Sequence, residues 1–368
     1  MKTLVWITSD CFVDCDLNKE IMELVSKEYK IYWYIIFPCD KQRYQIEDFE
    51  EYNRLGIELC FIKNPFRQRD IHSIAFYNSL YKGIMKRHPD VIYINYEKTI
   101  FFNTLLWRLP KDKVILTAHQ GSVHDGFQNK WAWKTIFYFA YKRVDYVNMF
   151  TDSQKKLFEQ NYHVKKIFRM PLSLKNFGES KAEKKSEITF LSFGSLIASK
   201  NIGLLIRAAE ELNKRGVKGF KVSINGACTN WAQYESLIEH KDLFDLHIYP
   251  IPNDDIADLF SSSHYFVQPY SSVSQSGPTK IAFQYNIPVI ASNLPAFVEE
   301  IKDGVNGWVF ENQNVEALAD RMQWCIEHID KYSTLVERMM EYTKQNYSNE
   351  VIAKKMIDMF NYIVDLKK

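Results

Sequence analysis

The sequence has few of the features that mark several broad classes of protein. Its 368 residues include six cysteines and no Cys-x-x-Cys pair, so we expect free thiols in a reducing compartment and no cysteine-based zinc site. No apolar run reaches the roughly 18–20 residues that a membrane-spanning helix needs. The first ten residues have neither the basic region nor the small-residue cleavage site of a secretory signal. Together these absences predict a cytoplasmic protein.

An excess of charge of one sign is also missing. The 47 basic and 45 acidic side chains leave a net charge of +2, whereas a nucleic-acid-binding protein usually carries a basic face. We therefore expect no nucleic-acid partner. The turn after the first predicted strand, residues 8–12, has no Gly-x-Gly-x-x-Gly pattern, which argues against a dinucleotide-dependent oxidoreductase.

What is present is a regular alternation of short apolar segments with longer amphipathic ones. Segments rich in Ile, Val and Tyr predict buried parallel strands, and the segments between them predict the helices of β-α-β units. The pattern runs through residues 3–150, stops at the polar, lysine-rich stretch 173–187, and starts again at Ile188. The length of the chain also favours two domains over one.

The sequence therefore predicts an α/β protein of two Rossmann-like, doubly wound parallel-sheet domains that face a central cleft. We expect an N-terminal domain over residues 1–172, a linker over 173–187 and a C-terminal domain over 188–345. A helix in residues 346–368 is expected to pack back on the N-terminal domain. Ligands of such folds bind beyond the carboxyl ends of the strands, so the residues that follow strands are the site candidates.

The clearest candidate is the loop that follows the predicted strand 265–268. It is rich in small hydroxyl residues and leads through Gln275 and Ser276 into a helix predicted to begin at Gly277, with Thr279 in the first turn. The free N–H groups and partial positive charge of a helix start form a binding place for an anion. An ordinary capped helix start is the alternative interpretation.

A second loop follows the predicted strand 188–193. Gly194 allows a close approach of the backbone, Ser195 comes next, and Lys200 precedes the following helix, where a cation would meet a diphosphate. Taken alone, Lys200 is equally explained as a solvated surface lysine. Two such loops at neighbouring strand ends favour a binding site.

In the first half, the predicted strand 113–118 is followed by His119 and, five residues later, by His124 and Asp125. Each of these side chains could hydrogen-bond a sugar hydroxyl or a carbonyl group at the cleft. A structural histidine is the alternative for His119.

A helix predicted near residues 129–142 is almost entirely apolar and aromatic, with basic residues at both ends. Two interpretations stay open for it. It is either a core helix whose long lysine side chains reach solvent, or an interfacial surface that touches anionic lipid or a lipid-linked acceptor.

Residues 188–309 resemble the retaining glycosyltransferases of family 4, also called group 1 glycosyltransferases. The segment from Gly194 to Gly203, with Lys200, looks like the family's glycine- and lysine-containing donor loop, and residues 288–292 look like the strand after its donor-site helix. Asp303 to Gly307 resembles its "D-G-x-x-G" turn, and residues 117–119 are similar to its N-domain strand that ends in histidine. The resemblance implies a GT-B fold.

The sequence departs from the family pattern at the donor site. The two family glutamates, eight residues apart, would fall on Val273 and Ile281, and the usual arginine beside the first glycine is Ser195. A Gln275-Ser276-Gly277 loop stands where the glutamate motif would begin. The side chain of Gln275 and the backbone amides of the loop would then make the sugar and phosphate contacts.

The resemblance implies an enzyme that transfers a sugar, with retention of configuration, from a nucleotide-sugar donor to a glycan or lipid-linked acceptor in surface polysaccharide synthesis. The N-terminal domain would serve the acceptor, and a peripheral contact with the inner face of the membrane would accompany a lipid-linked one. No metal and no other cofactor are expected. The residues it implies are His119 beside the reacting sugar and, for the donor, Gly194, Ser195, Lys200, Gln275, Ser276, Gly277 and Thr279. A non-catalytic GT-B-like binding subunit and a nucleotide-sugar epimerase are the alternatives.

Overall fold

The structure is a computed structural model that describes residues 1–9, 19–39, 44–67, 70–96, 99–123 and 129–366. The chain divides into two compact units. The first comprises Met1–Ser173 together with Asn349–Lys368, and the second comprises Leu174–Ser348.

The first unit is built on a seven-stranded sheet in the order β3-β2-β1-β4-β5-β6-β7, and every pairing is parallel. Its strands are β1 Lys2–Ser9, β2 Tyr29–Phe37, β3 Glu58–Lys63, β4 Val91–Asn95, β5 Val114–Thr117, β6 Tyr146–Met149 and β7 Lys166–Arg169. Its helices are α1 Lys19–Ser26, α2 Glu50–Asn53, α3 Ser73–Met85, α4 Phe102–Leu106, α5 Lys130–Tyr141 and α6 Asp152–Asn161.

Both faces of this sheet are buried, which explains why its central strands are apolar without interruption. Alternate residues of β1 point to opposite faces: Leu4 and Trp6 belong to one core cluster, and Val5 and Ile7 belong to the other. Helices α3, α4 and α5 cover the second face.

The second unit repeats the same design with six parallel strands in the order β10-β9-β8-β11-β12-β13. These are β8 Ile188–Phe193, β9 Phe220–Asn225, β10 Phe244–His247, β11 Tyr265–Gln268, β12 Val289–Ser292 and β13 Gly307–Phe310. The helices that follow them are α7 Ile202–Lys214, α8 Ala232–Glu235, α9 Asn253–Ser262, α10 Gly277–Gln284, α11 Pro295–Glu300, α12 Val315–Glu327 and α13 Tyr332–Tyr347.

The last helix, α14 Asn349–Asp365, belongs to the first unit. Its Phe360 is fully buried and meets the edges of Trp6, Tyr29 and Tyr93 with ring centroids 5.5–5.9 Å apart. Edge-to-face pairs of this kind are favourable beyond the area that they bury. Helix α14 therefore completes one face of the first core.

In each unit the strand order, numbered within the unit, begins 3-2-1-4-5-6, which is the Rossmann arrangement. The prediction of two Rossmann-like parallel-sheet domains is confirmed. The order in which strands are added to the sheet reverses between the first and fourth strands, so β8 and β11 flank the switch point of the second sheet, where ligands of such sheets bind.

Two elements of the first unit were not predicted from the sequence. Helix α6 and strand β7 were not anticipated, because the stretch 152–169 is polar and its helix has one fully buried residue, Phe158. Among the residues that the structure describes, no helix combines the length and the apolar character needed to cross a membrane.

Replacing Phe360 by alanine should lower the free energy of unfolding of the first unit by about 3–5 kcal/mol, because the substitution leaves a cavity among the rings of Trp6, Tyr29 and Tyr93. Urea denaturation followed by tryptophan fluorescence measures the loss. Lys354→Ala on the exposed side of the same helix serves as control, since its partner Asp358 is also exposed and the change should stay within about 0.5 kcal/mol. Equal stability of Phe360→Ala and the native chain would contradict this account of the core.

Candidate functional site

Two loops meet at the switch point of the second sheet. One follows β8 and the other follows β11, and these strands are hydrogen-bonded neighbours. The backbone N–H of Ser271 donates to the carbonyl oxygen of Ser199 over 2.9 Å, which ties the second loop to the first. The expectation that both loops lie at adjacent strand ends of one sheet is confirmed.

The first loop begins at Gly194, whose φ of +116° is rarely adopted by residues with a side chain. A close backbone contact fixes this turn: a Cβ atom on Gly226, after β9, would lie 1.8 Å from the carbonyl oxygen of Gly194. Only glycine fits at Gly226. Ser195 follows with an exposed side chain.

Lys200 ends a short 3-10 turn, Ala198–Lys200, and is half-buried. Its Nζ atom lies 3.6 Å from the ring centroid of Tyr270, the second residue after β11. Tyr270 is 2% exposed, and its carbonyl oxygen accepts a hydrogen bond from Ser292 Oγ over 2.7 Å. A cation held over a fixed aromatic ring keeps its position with little loss of entropy on binding a ligand.

The buried side-chain amide of Gln268, at the end of β11, fixes the start of helix α10 through two hydrogen bonds. Its Nε2 donates to Ser276 Oγ over 2.7 Å, and its Oε1 accepts from Thr279 Oγ1 over 2.6 Å. Ser276 Oγ is also the N-cap acceptor for the backbone N–H of Thr279. Because all three side chains are buried, the expectation that Thr279 touches the donor needs correction. Its side chain orders the helix start from inside.

Ser276 also stabilises the helix start from inside, since its hydroxyl oxygen accepts hydrogen bonds from Gln268 Nε2 and from the backbone N–H of Thr279. Gln275 and Gly277 are half-buried, so this part of the loop reaches the surface of the unit. The backbone of residues 275–277 is therefore what the loop offers to an anion, with the partial positive charge of α10 behind it.

A residue that sequence reasoning missed is Lys175. It lies in the stretch that was predicted as linker, where nothing in the local pattern distinguishes it from its neighbours. Its Cε and Nζ atoms are 3.3 and 3.7 Å from the place where a Cβ on Gly277 would stand, at the first turn of α10. A second ammonium group thus accompanies Lys200 at this edge of the sheet.

The segment that carries Lys175 is held in place by Tyr285, the residue that follows α10. The backbone N–H of Phe177 donates to the hydroxyl oxygen of Tyr285 over 2.8 Å, and that hydroxyl group donates to the carbonyl oxygen of Gly178 over 3.0 Å. Burial raises the pKa of Tyr285, so the hydroxyl group stays protonated and keeps donating.

The electrostatic character of this site is positive. Neither loop contains an acidic residue: residues 194–201 and 269–280 have Lys200 and Lys280 as their charged side chains. The positions of the two family glutamates are also occupied by apolar side chains that pack in the core, Ile281 as a buried residue and Val273 as a partly buried one. The arrangement suits a phosphate-bearing ligand.

Lys280 itself does not face a ligand. It is 0% exposed and pairs with Glu300 at the end of α11, with 2.6 Å between Nζ and Oε1. Its Nζ atom also lies 4.5 Å from the ring centroid of Tyr347 in α13. Through these two contacts Lys280 links the first turn of α10 to α11 and to α13.

His119 follows β5 in the first unit, as the sequence predicted. Its Nε2 lies 2.8 Å from Oδ1 of Asn95, the buried last residue of β4, and an amide oxygen accepts only, so Nε2 carries the proton. The ring also contacts Phe150, with centroids 5.1 Å apart. The next turn packs on α6, where a Cβ on Gly121 would lie 2.2 Å from the carbonyl oxygen of Gln154. His124 and Asp125 lie outside the described residues.

One set of metal-type ligands lies close together in the part of the chain that the structure describes, namely Glu210, Glu239 and His240. Both oxygens of Glu210 are engaged there: Oε1 accepts from two backbone N–H groups and Oε2 pairs with His240 Nδ1 over 2.6 Å. This carboxylate serves as the cap of a turn. An Asp-x-Asp pair, Asp14 and Asp16, lies outside the described residues, and the absence of a metal requirement stays a prediction.

Comparison with known families accounts for both units. The profile described as "Glycosyl transferases group 1" matches residues 175–346, and that described as "Glycosyltransferase Family 4" matches residues 23–171. The chain belongs to the group 1 glycosyltransferases. This confirms the resemblance seen in the sequence, and the two parallel-sheet units are those of the GT-B fold.

Individual relatives of this group 1 protein are distant. Over 271 residues it is 24% identical to a poly(ribitol-phosphate) alpha-N-acetylglucosaminyltransferase from Staphylococcus aureus (strain COL); the match covers 71% of this chain, which spans about half, 52%, of that relative's length. A glycosyltransferase from Rickettsia africae is similar in structure, with a TM-score of 0.75, 15% identity and coverage of 99% of this chain and 98% of the other.

HepE from Anabaena is a further structural relative. Its complex with UDP has a TM-score of 0.72 and 14% identity, with 98% of this chain and 100% of the other covered. HepE has also been solved with UDP and glucose and with UDP-glucose.

Replacing Lys280 by methionine should lower the free energy of unfolding by about 3–5 kcal/mol, because it leaves the Glu300 carboxylate buried without its cation. The double variant Lys280→Met/Glu300→Leu should recover most of that loss, since it removes both buried charges. Chemical denaturation of the three proteins tests the pair. A double variant no more stable than Lys280→Met would contradict the interpretation.

Proposed function

We propose that this protein is a retaining glycosyltransferase that transfers a sugar from a nucleotide-sugar donor to a glycan or lipid-linked acceptor. The observation that carries the proposal is the pair of loops after β8 and β11, which contain no acidic residue and bring the start of α10 together with two lysines, Lys175 and Lys200. The donor's diphosphate binds there. Gly194, Ser195, Gln275 and Gly277 supply the neighbouring backbone and polar contacts.

The chemistry follows from where charge appears. When the bond between the sugar and the diphosphate breaks, negative charge grows on the leaving oxygen. Fixed N–H groups of α10 and the two ammonium groups stabilise that charge more strongly than they stabilise the intact donor, and this difference lowers the barrier. These groups act without a metal or other cofactor.

Uridine diphosphate is the nucleotide part that we propose for the donor. The support is that HepE, a relative with the same fold, binds UDP and UDP-glucose. The relative from S. aureus is an N-acetylglucosaminyltransferase by name, which supports a hexose or N-acetylhexosamine as the sugar.

His119 is the catalytic residue that we propose for the first unit. With its Nε2 proton held by Asn95, the ring is fixed in orientation at a strand end. It would hydrogen-bond the transferred sugar and orient its anomeric carbon toward the acceptor.

The acceptor belongs, in this proposal, to surface polysaccharide synthesis, since the S. aureus relative is named for poly(ribitol-phosphate). A lipid-linked acceptor would place the protein at the cytoplasmic face of the membrane as a peripheral protein. Helix α5 supports this part of the proposal, because it buries Phe137, Ala140 and Tyr141 but exposes other aromatic residues.

The function is tested by incubating the purified protein with UDP-, GDP- and dTDP-sugars and measuring release of free nucleotide, with and without poly(ribitol phosphate) as an acceptor. Acceptor-dependent UDP release with a sugar-modified product is the expected result. Nucleotide binding without any release would favour a non-catalytic subunit. A changed sugar without an acceptor would favour an epimerase, and either outcome contradicts the proposal.

Replacing Lys200 or Lys175 by alanine should weaken UDP binding and reduce kcat/KM roughly 10- to 100-fold each, because a charge-assisted contact with a phosphate is lost. Isothermal titration calorimetry with UDP and the release assay measure both quantities. The matched control is Lys218→Ala, an exposed lysine before the amino end of β9, whose loss should change neither. Unchanged UDP affinity in both Lys200→Ala and Lys175→Ala would place the diphosphate elsewhere.

Replacing His119 by alanine should lower kcat by about 100-fold and leave the UDP affinity unchanged, because His119 orients the sugar and does not hold the nucleotide. Asn95→Ala should show a smaller fall in kcat of the same kind, since it releases the imidazole from its orientation. A His119→Ala protein with native turnover would remove this residue from the mechanism.

A further inference from the structure

The first unit carries an apolar groove between α4 and α5. Its volume is about 520 Å³. We call it the α4–α5 groove and define it by its main lining residues, Ile100, Thr104, Trp107, Arg108, Ile136 and Phe139.

The polar groups that border the α4–α5 groove bond to one another across it. Asn103 Nδ2 donates to the carbonyl oxygen of Ile136 over 3.2 Å, and Trp107 Nε1 donates to that of Phe139 over 3.3 Å. The guanidinium group of Arg143 donates twice to the carbonyl oxygen of Trp107, over 3.1 and 3.0 Å. These bonds brace the two helices and leave a lining that suits an aliphatic occupant better than a sugar or a nucleotide.

Large apolar side chains stay exposed in and around the groove. Ile100 is 55% exposed, Trp107 50% and Phe139 40%, and Trp131 and Tyr138 on α5 are 80% and 50% exposed. Single exposed apolar residues need no explanation, but a cluster of this size marks an interaction surface. Trp and Tyr are the residues that gather where a membrane meets water.

The charge of this region points to one kind of partner. No acidic residue occurs in residues 99–110 or 129–144, whereas Arg108, Lys130, Lys134, Lys142 and Arg143 are all there. Basic side chains around an apolar surface complement the anionic headgroups of a bilayer.

We propose that the α4–α5 groove binds an aliphatic chain of an anionic lipid bilayer, with the surrounding basic residues on the headgroups. The groove, and not only the aromatic helix α5, is then the membrane-docking site of the protein. The inference deepens the membrane contact in the proposed function, on which it rests only for its biological role, because lipid binding requires neither donor nor acceptor.

Flotation with vesicles tests the site. Native protein should float with vesicles of phosphatidylcholine and phosphatidylglycerol, and much less with phosphatidylcholine alone. Ile100→Glu and Phe139→Glu place a charge in the groove and should each weaken binding at least about tenfold. The matched control is Met340→Glu, the same charge at a 51% exposed apolar residue of α13, and it should float like the native chain.

A second measurement reports on the groove itself. Phosphatidylglycerol vesicles brominated in the acyl chain should quench part of the tryptophan fluorescence, because bromine quenches only at contact. Trp107→Phe should remove a quenched component, whereas Trp308→Phe, a buried residue of the second unit, should not. Lys134→Glu should lower vesicle affinity more than fivefold, the factor expected for one cation lost at an anionic surface, and leave the quenching of bound protein intact.

Vesicle binding that is unaffected by both groove variants, or that shows no quenching at Trp107, would mean a charge-only contact and overturn the proposal. Absence of vesicle binding would also overturn it. Nucleotide release in solution without vesicles, measured on Ile100→Glu, tests sugar transfer separately, so failure of one proposal is not mistaken for failure of the other.

Discussion

The candidate site depends on the hydrogen bonds made by the side-chain amide of Gln268. This amide sits where β11 ends and bonds to both Ser276 and Thr279, so it fixes where α10 begins relative to the sheet. Each of these three residues is buried, and an unpaired partner would carry the cost of a buried polar group. The position of the helix start, and with it the direction of its free N–H groups, is therefore set from inside the protein.

The second unit lacks the two glutamates that are typical of its family. Their positions hold Val273 and Ile281, which pack in the core, so no carboxylate is available there to recognise a ribose or a sugar. The remaining groups are cations and backbone amides, which recognise phosphate. The buried Lys280–Glu300 pair sits behind them as a support, because it joins α10 to α11.

The fold could be predicted from the sequence because strands buried on both faces are continuous apolar runs, and strand 188–193 was predicted at its observed bounds. The loops after β8 and β11 followed from the same pattern. Lys175 could not be predicted, because its closeness to Gly277 results from tertiary anchoring by Tyr285 and leaves no local signal. The role of Thr279 was misjudged for a related reason: sequence shows a hydroxyl group but not the amide that binds it.

Because helix α14 belongs to the first unit but is synthesised last, the first unit can complete its core only after the second unit has been made. Residues 174–348 form the second unit in one uninterrupted stretch, so that unit has all its contacts as soon as its own residues are made. The first unit does not. Its aromatic cluster around Trp6 waits for Phe360, so its early segments must remain unfinished, with apolar surface uncovered, through the translation of an entire second unit.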